Sequence, residues 1–120
     1  MTKKLCGVVF ASAADDEYDG MAHLWMRDAE TEYWFSLSRA ADSNAIEVMV
    51  SDQLNYNGDE VSVTLSTTGI VARLSHAAAS ALDGHLEYAI EFHPDSQGIA
   101  CIREALEVIF RGKSGLLLDT

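Results

Sequence analysis

Apolar and polar side chains alternate with a period of two through most of the first 92 residues. Successive side chains of a β-strand point to opposite faces, so this pattern predicts strands that are wet on one side, and hence an antiparallel sheet. Seven segments carry it. Residues 4–12 set Cys6, Val8 and Phe10 on one face. Residues 21–27 set Ala22, Leu24 and Met26 against Met21, His23 and Trp25. Residues 32–39 put Tyr33, Phe35 and Leu37 together. In 45–51, 59–66, 69–75 and 85–92 the inward sets are Ile46/Val48/Val50, Val61/Val63/Leu65, Ile70/Ala72/Leu74 and Leu86/Tyr88/Ile90/Phe92. Thr67-Thr68-Gly69 is short enough to make 59–75 a hairpin.

Two segments break the alternation. Ser75 caps a short helix over His76 to Leu82, closed by Asp83-Gly84. A longer helix begins at Asp95 or Ser96, behind Pro94, and ends at Gly112. Ile99, Ile102, Leu106, Ile109 and Phe110 share its apolar stripe. The residues Leu116 to Leu118 either add an edge strand or pack loosely. The predicted fold is therefore α+β: an antiparallel, curved sheet of about seven strands, with one C-terminal amphipathic helix and one short helix. One sheet face lies under the helix and the other is left available for a partner.

At 120 residues the chain is long enough for one domain, 1–120, and 48% hydrophobic residues supply a core. No apolar run reaches the ~20 residues of a bilayer span. Eight Lys and Arg against 19 Asp and Glu leave a net charge of −11. Such a chain repels phosphate backbones and anionic lipid heads, which argues against nucleic acid and membrane as partners. It attracts basic protein surfaces. Cys6 and Cys101 read as small buried thiols in a reduced interior. The N-terminal apolar stretch is too short for a signal peptide, so the expected location is cytoplasmic.

The signatures of chemistry are missing. There is no P-loop, no Gly-x-Gly-x-x-Gly, no Gly-x-Ser-x-Gly, no Cys-x-x-Cys and no His-Glu-x-x-His. His23, His76, His85 and His93 are scattered and read as rim histidines. No catalytic residue, no metal site and no cofactor is expected, and the chain is not expected to be an enzyme.

Three features suit recognition instead. Asp15, Asp16, Glu17 and Asp19 put four carboxylates within five positions, either to steer a basic partner or simply to solvate a loop. Trp34 alternates away from Tyr33, Phe35 and Leu37, so it serves either as an exposed anchor or as a cover for the second sheet face. The stretch from Val50 to Gly58 reads as a loop, in which Asp52, Gln53 and Tyr56 form a recognition tip or Asp52 and Asn55 only close Asx-type turns.

The order of these features resembles the immunity protein 10 family of bacterial polymorphic-toxin systems. The resemblance runs from Tyr33-Trp34-Phe35-Ser36-Leu37-Ser38-Arg39 through Ile46-Glu47-Val48-Met49-Val50 and Asp52-Gln53, with Tyr56 and Gly58 after. It continues with the hairpin through Leu74, the strand Leu86 to Phe92 and the helix Arg103-Glu104-Ala105-Leu106 to Phe110, about two thirds of the chain. It implies a cytosolic antidote that binds a cognate protein toxin and blocks it without chemistry of its own. The acidic balance fits a basic toxin domain. The competing expectation is a small acidic adaptor or structural module that forms a homo-oligomer, such as a homodimer, through an uncovered strand edge or sheet face.

Overall fold

A computed structural model describes residues 2–15, 20–31, 33–51, 54–58, 60–94, 96 and 98–119. Among these residues the chain forms nine strands and two helices. In chain order they are β1 (Thr2–Asp15), β2 (Met21–Asp28), β3 (Trp34–Arg39), β4 (Ile46–Val50), β5 (Leu54–Gly58), β6 (Val61–Ser66), β7 (Gly69–Leu74), α1 (His76–Ala81), β8 (Glu87–Phe92), α2 (Ile99–Ile109) and β9 (Leu116–Asp119). All nine strands share one sheet, ordered β5-β4-β3-β2-β1-β8-β7-β6-β9.

The α+β class and the mostly antiparallel sheet follow the alternation, but the strand count rises from seven to nine. Leu54–Gly58, read as a loop tip, is a strand paired antiparallel with β4. Leu116–Asp119 is a strand parallel to β6, so a strand and not the helix ends the described chain. Both lie at edges of the sheet. Edge strands pair on one side only, so alternation is weak in both: β5 is mostly polar, and β9, the edge-strand alternative for Leu116 to Leu118, is a run of three leucines. A second parallel pair joins β1 to β8.

The long helix also starts later than its sequence suggested. Gly98 is its N-cap, without a side-chain cap, and Asp95 lies outside the described residues. Ser96 has a different task. Beyond Gly7 the strand β1 has left β8 behind, and the Ser96 hydroxyl accepts the Val9 N–H at 2.9 Å.

The sheet must be rolled. β5 and β6 stand seven strand steps apart, ~34 Å if the sheet were flat. Only residues 59 and 60 separate Gly58 from Val61, and three peptide steps span at most ~11 Å. The curl closes on Glu60. Its Oε2 accepts the Tyr56 hydroxyl and the Ser75 hydroxyl, each at 2.8 Å. The Ser75 oxygen in turn accepts the Ala78 N–H at 3.1 Å and caps α1. These two donors, Ser75 first, hold the Glu60 carboxyl below the usual carboxylate range. Inside the roll, Phe35 of β3 meets Tyr88 of β8 with ring centroids 4.9 Å apart, although two strands lie between them in the sheet.

α2 seals the roll against β1, β2 and β3. Ile102, Ala105, Leu106 and Ile109 are fully buried beneath it. Arg39, the basic residue that closes the aromatic strand β3, is its C-terminal cap. The guanidinium donates to the carbonyls of Ile109 (3.1 Å), Arg111 (2.6 Å) and Ser43 (2.8 Å) and to the Asn44 side chain (3.2 Å). A cation at this end also complements the helix dipole.

At the opposite end of β2, Asp28 organises the turn into β3. It accepts from the backbone of Thr31 and Glu30 (both 2.9 Å), from Cys6 N–H (3.2 Å) and from the Thr31 hydroxyl (3.0 Å). Burial pushes its pKa up, and the Thr31, Glu30 and Cys6 donors together pull it down by more, so the net shift is downward. Gly7 is needed where β1 passes this turn, because a Cβ there would overlap the Arg27 carbonyl.

Candidate functional site: the uncovered face of the sheet

β1 and β2 carry large apolar side chains on both faces, and α2 covers one. In β1 the inner set is Leu5, Val9 and Ala11; in β2 it is Ala22, Leu24 and Met26. Cys6, Val8 and Phe10 therefore point outward, as do Met21, His23 and Trp25. Cys6 is exposed, and so is Cys101 on the outer side of α2, in place of the buried thiols expected. For Cys6 the reason is parity: Leu5 and Gly7 take the inner positions on either side of it.

The outer face has an aromatic centre. Phe10 pairs with Trp25 across β1 and β2, and the rings stack with centroids 6.0 Å apart and planes 26° apart. Phe10 is 44% exposed, high for a large apolar side chain in a central strand. The row continues from Trp25 to Ser36 of β3 and Met49 of β4. A parallel row holds His23, Ser38 and Glu47. Bulky side chains on β2 and β4 thus flank two serines on β3. The result is a hollow of 460 Å³ bounded by Trp25, His23 and Met21 on one side and Met49 and Glu47 on the other. Ser38 Oγ donates to Glu47 Oε1 at 3.4 Å, so the carboxylate leans over the serine floor. A second hollow of 360 Å³ lies across the Phe10–Trp25 ridge, beside Val8 and Arg27.

Of the residues singled out by sequence, Asp15, Trp34 and Tyr56 fall among the described residues. Trp34 begins β3, partly buried, opposite Arg27, on the same outer side as Trp25. Asp15 pairs with Met21 at the end of β1, next to the first hollow. Asp16, Glu17 and Asp19 follow it in the chain and lie outside the described residues, as do Asp52 and Gln53. Tyr56 is not at a loop tip. It stands half-buried in β5 with its hydroxyl on Glu60, at the seam of the roll.

Phe10, Trp25 and Met49 were missed as site residues. Their signal was present: the outward sets of β1 and β2 include Val8, Phe10, Met21 and Trp25, large apolar side chains that a sheet wet on one side does not need. Alternation alone does not say which set the helix covers.

A further cluster sits away from this face. The hydroxyls of Tyr33 and Tyr88 both donate to Asp83. Burial, with Asp83 holding its proton, pushes the Tyr88 phenol far above its ordinary range. The Lys3 ammonium lies 4.6 Å from the Tyr33 ring centre. This arrangement ties the turn after α1 to the start of β3. Among the described residues, no three His, Cys, Asp or Glu side chains gather as a metal-holding group, and no helix is long and apolar enough to cross a membrane.

No family model, curated protein or solved structure matches the chain.

Proposed function

We propose that this chain is a protein-binding antidote that docks a basic toxin domain on the uncovered face of its sheet and blocks it without catalysis. The observation that carries the reading is the stacked Phe10–Trp25 pair, set on a sheet face that α2 leaves bare. Aromatic side chains ringed by polar groups are the usual energetic centres of protein interfaces. The net charge of −11 favours a basic partner and raises the rate of encounter with one. It also disfavours packing one copy of this chain on another through the same face. The resemblance to the immunity protein 10 family supplies the class of partner. Asp15 and Trp34 flank the proposed surface, and Asp16, Glu17, Asp19, Asp52 and Gln53 are proposed to steer the encounter.

The test is co-expression with any toxin-like C-terminal domain found encoded beside this gene. Protected growth, with a tight complex by calorimetry, is the expected result. Phe10→Asp and Trp25→Asp should each weaken the complex by about 30-fold or more, as central interface aromatics do. Failure to bind, or binding indifferent to both changes, would reject the reading.

One observation favours a second reading, a homodimer through the β9 edge. Leu117 is 62% exposed and Leu118 40% exposed on an edge strand without lysine or proline to protect it. Sedimentation at several concentrations decides: a dimer that Leu117→Lys dissociates would support it, and a monomer throughout would remove it.

A further inference from the structure

The hollow beside Trp25 has the shape and chemistry for one particular group. Its walls are β2 and β4, two strand steps or ~10 Å apart, with the small Ser36 and Ser38 of β3 as the floor. Side chains stand roughly perpendicular to the sheet, so the gap between the walls admits one layer of aliphatic or planar atoms, ~4 Å thick. One end of the gap is apolar, between Trp25 and Met49. The other end holds the Glu47 carboxylate over Ser38, with His23 on the facing wall.

A purely apolar side chain inserted here would desolvate Glu47 and give it nothing in return, which is costly. A long side chain with a cationic head satisfies both ends. Its stem lies against Met49 and Trp25, and its head reaches Glu47. A guanidinium does this better than an ammonium, because it is flat enough for a slot one layer thick and offers two parallel donors to a carboxylate.

We infer that the Trp25–Ser36–Met49 slot, closed by Glu47, is a receptor for a single arginine side chain of the docked partner. This rests on the uncovered face being the docking surface, and it makes Glu47 the specificity-determining residue there.

The probe is N-acetyl-arginine amide, compared with N-acetyl-citrulline amide, its neutral isostere. Each is titrated into the full chain while amide and indole resonances are followed by NMR. Saturable shifts centred on Trp25, Ser36 and Met49 are expected. Citrulline should bind about fivefold more weakly, the increment that one partly exposed ion pair supplies. Glu47→Gln should make the two probes equal, and Ser36→Leu should fill the slot and abolish both responses. Equal binding of the two probes to the unaltered chain would overturn the assignment. So would the absence of saturable shifts, or shifts that survive Ser36→Leu. The docking reading is separable: a toxin complex broken by Phe10→Asp but indifferent to Glu47→Gln keeps the surface and discards the arginine slot.

Discussion

The two faces of β1 and β2 are built from similar side chains and have different fates. Leu24 and Met26 face α2 and are fully buried. Trp25, between them, faces outward beside Phe10, which keeps 44% of its surface exposed. The inner face is closed by Ile102, Ala105, Leu106 and Ile109, so its apolar area contributes to folding. The outer face has no such lid among the described residues, so part of its apolar area stays in contact with solvent. Exposed apolar area on one side of a sheet carries information only because the other side has already satisfied the fold.

The sharpest way to break this comparison is to truncate each face in turn. Leu106→Ala removes a fully buried side chain under the roll and should cost about 2–5 kcal/mol in urea unfolding. A change this large on the outer face would mean that the two faces are not energetically distinct.

Arg39→Met tests whether the lid itself depends on its cap. Four donor contacts to the end of α2 and the loop beside it would be lost. The expected loss is about 1–3 kcal/mol, read as a lower urea midpoint.

Asp28→Asn should cost about 1–2 kcal/mol at neutral pH. The native pKa of Asp28 is depressed, so its charged form stabilises the fold fully above the ordinary carboxylate value of about 4. That contribution fades as pH falls through the lower native value. Midpoints for the two proteins should therefore converge below about pH 4. A gap that stays constant down to acid pH would deny Asp28 this role.

The smallest effect on stability is expected at Phe10. Phe10→Ser should lower the unfolding free energy by only about 0.5–1.5 kcal/mol, the worth of an aromatic pair, because the ring is only partly covered. Fluorescence of a bound hydrophobic dye should nevertheless fall. A large loss of stability would show that the outer aromatic pair belongs to the fold and not to a partner.

Much of the fold was legible because burial of one strand face imposes a period of two. Ile46, Val48 and Val50, and likewise Val61, Val63 and Leu65, are all buried, as their alternation required. The stripe Ile102-Leu106-Ile109 was legible for the equivalent helical reason. β5 was not, because an edge strand of Leu-Asn-Tyr-Asn-Gly resembles a turn in composition. Of the site, Trp34 was placed on the outer side by parity alone. Phe10 and Trp25 were not distinguished, because both sets of side chains on β1 and β2 include large apolar ones.

Local pattern thus determined which residues share a face and where most strands run, since side-chain direction depends only on the backbone geometry of a few neighbours. Three things needed the tertiary structure: which face α2 covers, how the sheet rolls until Tyr56 and Ser75 meet on Glu60, and how Trp25, Ser36 and Met49 come into one row. Each depends on contacts between residues far apart in the chain, and no short-range periodicity encodes those.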